Sequence, residues 1–551
     1  MIPIIRREVL AILRTPRAVL AIVVAAACFA LLVLWRWPAA GLVDLSGTQS
    51  RDVFRLFALG LLVGVLLLVP AFPATSIVRE RRQGTLLLLL NSPLSPASIY
   101  FGKLVAMLLF AGLLACTSLP AVAACYAMGG LDLGRDVFMV YAVLGLLTVE
   151  CIALGLLVST FAQSTDAAVR LTYAAVFALC CLTLGPYVLF QGQAGWKAEA
   201  ATLLRRFSPL PVMLHLVGQG AAGSQGLLER DSGAGMFFLC GSLFTLGVMA
   251  ATLLTFNQRM FDRSRSQGTI TDEQSGLVQW VRRVFFLVDP QRRVAGIPDF
   301  LNPVLVKEFR TRRFGRIHWL LRLIAVCAVV SLLLTFAATT GTLDWGVETI
   351  GGAMVLLQVA LVVLITPSLA SGLISSEIES RGWELLRMTP LSGLRIVTGK
   401  LASVVLTTLL VLLATAPGYI VMIFIRPTMW LQIYLVMICL VLTALVTLSI
   451  SAAVGSWLSH TATATVATYG VLMALFLGPL LVWSAREAPF GHAFVQTALS
   501  LNPLGAALAA IKMPGFADYD LIPRSWWVAG IVTAAALAAM GLRVRRLMEP
   551  T

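Results

Sequence analysis

The chain has 551 residues, 59% of them hydrophobic and only 12% charged, with a mean hydropathy of +0.91. So few charges cannot cover a soluble protein of this size, so an aqueous globule is excluded and lipid must solvate most of the chain. The net charge of +15 would suit a nucleic-acid partner, but the basic residues fall in short loops between apolar spans, which argues for membrane topology instead.

At the N-terminus, Arg6, Arg7, Arg14 and Arg17 precede an apolar run that continues past Cys28 to Trp35. A lipoprotein-like cut before Cys28 would fall in mid-span, so an uncleaved first helix is expected. About 20 apolar residues cross the roughly 30 Å hydrocarbon layer. By that rule the first half has six spans, near 18–35, 56–78, 99–128, 137–160, 168–190 and 235–257. Six more lie near 319–338, 350–374, 396–425, 431–457, 464–484 and 526–543. The linker 258–302 is the most polar stretch, and its segment 264–276 has the composition of a mobile loop. After it, Leu277, Trp280, Val281, Val284, Phe285 and Val288 recur at helical spacing, as in a helix lying in the interface. The loops 191–234 and 485–525 are too apolar to be simply solvated. Short re-entrant or interfacial helices are expected there, with Ser208-Pro209-Leu210 and Asn502-Pro503-Leu504 in comparable places. All nine cysteines sit within apolar spans without a C-x-x-C pair, as small buried hydrophobes do.

Segments 1–17, 79–103, 160–170, 258–322, 375–400 and 543–546 together carry 29 of the 41 Lys and Arg residues. The positive-inside rule then places both termini and the linker in the cytoplasm, and makes the two six-span halves parallel. The halves also share sequence. Pro70–Leu104 and Pro367–Leu401, 297 positions apart, are identical at 12 of 35 ungapped pairs, where composition alone gives about four. The same shift aligns Ser159 with Ser456, Ala167 with Ala464 and Val169 with Val466. The start of the second half, NPVLVKEFRTRR, echoes IPIIRREVLAILR: Pro303 with Pro3, Lys307 with Arg7, Glu308 with Glu8. Each half is expected to begin with a basic, half-apolar helix on the cytoplasmic surface. The expected organisation is all-α, with units at 1–257 and 303–551 joined by the linker 258–302.

No phosphate-binding G-x-x-x-x-G-K-[ST] occurs, nor H-E-x-x-H, G-x-S-x-G or C-x-x-C. No catalytic, metal or cofactor site is therefore expected. The pairs Gly102-Lys103 and Gly399-Lys400 lack a glycine-rich loop. They are expected to open the third and ninth spans, with the lysines snorkelling to headgroups. Within the spans, Glu150 and Gln358 are candidates for a conduit, Glu150 being equally readable as a protonated packing residue. Asp166 and Arg170 suit a local ion pair at a turn. The repeated segments RERRQGTLLLLLNSPLS and SEIESRGWELLRMTPLS place charges ahead of an apolar run that stops at Pro93 or Pro390. Each suits a short amphipathic helix along the membrane surface, at about 79–98 and 376–395.

At these residues the chain resembles the ABC-2 type permeases, the membrane subunits of ATP-binding-cassette transporters. The family pattern is carried in the second half by Glu377, Glu379, Gly382, Trp383, Glu384, Leu385, Leu386, Thr389, Pro390, Leu391, Ser392, Gly399 and Lys400. In the first half it is carried by Glu80, Gly84, Thr85, Ser92, Pro93, Leu94, Ser95, Gly102 and Lys103, with Leu87 where a Glu is usual. The resemblance implies a coupling helix in each half that docks on a separate ATPase chain, two copies in all. It also implies an inner-membrane pseudo-dimer that rocks between access states, and an exporter rather than an importer. Leu87 puts equal engagement of the two ATPases in doubt. The rival readings are a twelve-span secondary transporter and a membrane scaffold without transport activity. The first class usually carries a Gly-x-x-x-Asp-Arg-x-Gly-Arg-type loop between spans two and three, which this segment replaces.

Overall fold

The computed structural model describes residues 2–35, 48–162, 164–190, 195–217, 234–255, 302–311, 329, 347–484 and 491–549. In the first half these form α1 (Ile2–Leu13), α2 (Pro16–Trp35), α3 (Thr48–Leu68), α4 (Ala71–Arg82), α5 (Thr85–Leu90), α6 (Pro96–Cys116), α7 (Leu119–Ala127), α8 (Phe138–Phe161), α9 (Thr165–Cys180), α10 (Gly185–Phe190), α11 (Trp196–Arg205), α12 (Pro209–Leu216) and α13 (Ala234–Thr255). The second half has α14 (Pro303–Thr311), α15 (Val347–Ala370), α16 (Gly372–Glu379), α17 (Gly382–Arg387), α18 (Gly393–Ala414), α19 (Ala416–Ile425), α20 (Trp430–Trp457), α21 (Thr461–Ser484), α22 (His492–Ser500), α23 (Pro503–Ala510) and α24 (Ile522–Met548). No strand occurs among the described residues.

Among the described residues, ten helical stretches are long and apolar enough to cross a membrane, from Val53–Arg82 to Ile522–Met548. They coincide with ten of the twelve expected spans. The expected first span is α2, which meets α1 at a bend of 69°. The seventh, 319–338, and the linker helix at 277–288 lie outside the described residues. These helices are apolar all round, as befits segments that meet protein on one side and lipid on the other. Among the described residues, α8 and α20 are the most enclosed of the spans. Each sits at the centre of its half, α8 against α4, α9 and α13, and α20 against α15, α23 and α24.

Helix starts follow from local chemistry. Ser95 and Ser392 cap α6 and α18 by accepting from the Ser98 and Arg395 backbone N–H, and Ser164 caps α9 through Ala167. Pro96 follows its cap at the first helical position, where a missing N–H costs nothing. In the loop after each fifth span, two short helices meet at a polar cap. The pair α22 and α23 is bent by 111°. Its hinge residue Asn502 donates from Nδ2 to the Phe476 carbonyl at 2.8 Å and accepts from Leu504 N at 3.0 Å. Ser208, between α11 and α12, donates to the Cys180 carbonyl at 2.7 Å and accepts from Leu210 N at 3.3 Å. The two loops are thus latched to the same place on α21 and α9.

The halves touch along α3 and α9 on one side and α15 and α21 on the other. The rings of Tyr173 and Tyr469 meet there with centroids 5.1 Å apart. Each tyrosine donates its hydroxyl to a carbonyl of its own half, Tyr173 to Leu67 and Tyr469 to Leu364 at 2.6 Å. Around them pack Ala74, Val78, Ala168, Val169, Ala462 and Val466.

A duplicated ion cluster and two exposed short helices

The charged ends of α4 and α16 emerge beside the N-terminal helix of each half. In the first half, Lys103 on α6 reaches Glu8 on α1 at 2.9 Å, Glu80 on α4 at 3.0 Å and Ser76 at 3.2 Å. Arg7 closes the cluster, lying 2.5 Å from both Glu8 and Glu80. In the second half, Lys400 on α18 reaches Glu308 on α14 at 2.6 Å and Glu377 on α16 at 2.9 Å, and Lys307 lies 3.2 Å from Glu377. The lysine and the Glu80/Glu377 position keep the 297-residue offset, and the N-terminal helices contribute at an offset of 300.

This arrangement corrects the expected role of the Gly-Lys pairs. Lys103 and Lys400 are each only 1% exposed, so neither snorkels to headgroups. They do not open their helices either, because α6 starts at Pro96 and α18 at Gly393. Their carboxylate partners repay the desolvation that burial imposes. The glycines have a packing reason. A Cβ at Gly102 would fall 2.9 Å from Ile4 on α1, and one at Gly399 2.8 Å from the Asn302 amide before α14. Glycine therefore lets α1 and α14 lie directly on α6 and α18. These N-terminal helices are packed elements of the bundle, with Glu8 and Glu308 turned inward and buried.

Beyond the cluster the chain turns through a left-handed residue, Gly84 (φ 72°) in one half and Arg381 (φ 57°) in the other. The expected amphipathic helices at about 79–98 and 376–395 are therefore each broken. Each consists of the last turn of a span, a left-handed turn, a six-residue helix (α5 or α17) and a capped restart. Pro93 and Pro390 are exposed in the restart, Leu94 and Leu391 pack partly inward, and Ser95 and Ser392 act as the caps described above. Thr85 donates to the Glu80 carbonyl at 3.2 Å. Gly382 opens α17 beside Glu377, whose Oε2 a Cβ there would strike.

Both short helices are two-faced. Leu86 and Leu89 of α5 are buried, as are Trp383 and Leu386 of α17, while Leu88 is 73% and Leu385 70% exposed. Met388 and Leu394 extend the exposed apolar surface of the second copy, with Glu384 exposed beside Leu385. Trp383 also donates its indole N–H to the Leu547 carbonyl at 3.2 Å, which ties α17 to the end of α24. Glu379 turns away from this surface. It accepts from the Thr461 N–H at 2.9 Å and hydroxyl at 2.8 Å, and lies 3.7 Å from Arg82 of the other half.

The two intramembrane candidates lie inside their own halves. Gln358 on α15 donates to the Leu412 carbonyl at 3.3 Å and accepts from the Tyr419 hydroxyl at 3.0 Å. Glu150 on α8 is 1% exposed and faces Gly241 of α13, where a Cβ would meet its carboxylate. No hydrogen-bond partner of either Glu150 oxygen is found among the described residues. Asp166 and Arg170 do form an ion pair, and it also bridges the halves. Arg170 donates to the Ser368 carbonyl at 3.1 Å, and Asp166 accepts from the Thr465 hydroxyl at 2.8 Å. Motif reading of the repeated segment missed Arg7, Glu8, Lys307 and Glu308 as parts of the site, although the echo between the two N-terminal helices already pointed to them.

A bundle of membrane-length helices with a buried ion cluster at one end, twice over, defines a multi-pass helical membrane protein. Residues 3–198 match the family model of the ABC-2 type transporter. Over that stretch the chain is similar to the ABC-2 type transporter membrane domain, a family that normally works with an ATPase partner. The match includes the first ion cluster and α5 and ends before the second. No match to this chain was found among curated proteins.

Proposed function

We propose that the chain is the membrane-spanning permease of an ABC exporter, with both halves built on the ABC-2 plan. In this reading the ends carrying α5 and α17 face the cytoplasm of an inner membrane, as do both termini, and each receives one ATPase chain. The supporting observation is the duplicated cluster behind each short helix: a buried lysine joins the N-terminal helix, the span before the short helix and the span after it. A load on Leu88 or Leu385 is then transmitted to three elements at once. Glu80 and Glu377 act as positioning residues within the lever, whereas Leu88, Leu385, Met388 and Glu384 form the contact surface. Thr85, Gly84, Gly382 and the Pro-Leu-Ser residues shape the turns that present it. Glu379 serves the contact between halves. Hydrolysis would rock the halves about the Tyr173–Tyr469 contact and alternate access to the path between them.

The test is copurification of the chain with a co-expressed candidate ABC ATPase, followed by hydrolysis measurements in lipid. Leu88→Asp with Leu385→Asp is expected to abolish copurification while leaving insertion and thermal stability intact. An ATPase that binds the double variant as well as the wild type would overturn the docking assignment. Transport by the purified chain with no nucleotide-hydrolysing partner would overturn the whole reading.

A further inference from the structure

The first half contains a lateral cavity of about 210 Å³ between α2, α3, α6 and α8. Its floor is made by Ala25, Phe29, Leu61, Leu114 and Leu144. Its mouth lies between two exposed glycines, Gly112 on α6 and Gly145 on α8. A Cβ added at either would meet nothing within 4 Å, so close helix packing does not account for them. The polar groups on the wall are already satisfied inside the protein. The Tyr141 hydroxyl is 2.6 Å from Ser118 Oγ, and Thr148 donates to the Leu144 carbonyl at 2.7 Å. A water molecule would find too few partners there, and dry apolar cavities of about 150 Å³ already accept molecules the size of benzene.

At the matching positions the second half differs in sequence. At the 297-residue offset, Gly64, Gly112 and Gly145 become Leu361, Leu409 and Leu442. Leu442 packs against the core of its half. The three glycines that leave room for the cavity in the first half are thus leucines at the matching positions of the second. The mouth is flanked by exposed Leu109 and Leu113 on a membrane span, so hydrocarbon, not water, reaches it.

We propose that this groove holds one acyl chain of a membrane phospholipid, which enters between Gly112 and Gly145. The site is distinct from the short helices and does not depend on an ATPase.

The experiment places the full chain in phosphatidylcholine nanodiscs containing a trace of phospholipid with a diazirine on its acyl chain. After irradiation, adducts are mapped by mass spectrometry. Labelling of 108–115 and 141–148 is expected to exceed that of the second-half equivalents 405–412 and 438–445 by about tenfold, a modest site preference. In Gly112→Leu/Gly145→Leu the excess should disappear. The second half already accommodates leucine at both positions, so the backbone tolerates it. Equal labelling of the two halves in the wild type overturns the proposal, whether or not the variant folds. So does an unchanged excess in a monodisperse variant.

Discussion

Removing an ammonium from water costs several kcal/mol unless charge partners replace the lost hydration. Lys103 has such partners in Glu8 and Glu80, and Lys400 in Glu308 and Glu377. Replacing either lysine takes the buried cation from two inward-facing carboxylates and leaves half-exposed Arg7 beside Glu8 and Glu80, and half-exposed Lys307 beside Glu377. Lys103→Met and Lys400→Met are each expected to destabilise the chain by about 3–5 kcal/mol, read as a marked fall in thermal midpoint in detergent. Lys307→Met removes a partner whose side chain is half exposed, and is expected to cost about 1 kcal/mol or less. A similar loss for all three would mean the buried clusters are not closed in the membrane. The same cluster predicts acid sensitivity. Burial alone would raise the Glu8 carboxyl, but Lys103 and Arg7 outweigh it and hold it below its usual 4.5. The unfolded chain therefore takes up that proton first. The stability Glu8 contributes is fully present at neutral pH and is lost as pH falls below about 4.5 through the depressed value. Glu8→Gln should flatten that acid limb in thermal unfolding followed against pH.

At the scale of an element, the six-residue helices are too short to stand alone and depend on the turn that launches them. Gly84 holds that turn without strain, whereas Arg381 holds the same turn at a cost. Arg381→Gly is expected to stabilise the second half by up to about 1 kcal/mol, and Gly84→Ala to destabilise the first by about 1–2 kcal/mol. Opposite shifts in thermal midpoint are the signature; shifts of the same sign would refute the shared turn. This turn also shows what was legible in the chain. Ten spans were readable because uninterrupted apolar runs leave few alternatives. The repeated segment was readable because Pro, Gly, Glu and Lys rarely coincide by chance. The backbone pairs Gly84 with Arg381 and Thr85 with Gly382, as the ungapped offset does, so the two glycines hold different places in the turn. The burial of Lys103 and Lys400 was not legible because it requires α1 and α14 to fold back against α6 and α18, a tertiary contact that no local pattern encodes. The caps at Ser208 and Asn502 were visible as loop residues, but their grip on Cys180 and Phe476 spans 28 and 26 residues.

Across the whole molecule, the contact between halves is one place where the repeat stops being symmetric. Arg82 and Glu379 occupy equivalent positions, so like residues there would repel, whereas the unlike pair lies 3.7 Å apart. Both side chains are substantially exposed, and such pairs contribute about 0.2–1 kcal/mol, enough to favour this pairing of halves without locking it. The network around Asp166 is less exposed and ties α9 to α15 and α21 through Arg170, Ser368 and Thr465. Nothing equivalent exists at the matching second-half positions, which are Thr463 and Ala467. Because Asp166 and Thr465 belong to different halves, their coupling reports the closed contact directly. A double-mutant cycle of Asp166→Ala and Thr465→Ala on thermal stability is expected to give a coupling of about 1 kcal/mol. Thr465 also bonds to Ser371 and Thr461 of its own half, so Thr465→Ala alone should cost more than the coupling. If an ATPase docks as proposed and a bound, non-hydrolysable nucleotide on it drives the halves apart at this end, the coupling should fall towards zero in that complex. A coupling that persists unchanged there would mean the halves stay joined at Asp166, and that rocking about Tyr173 and Tyr469 is not how the path opens.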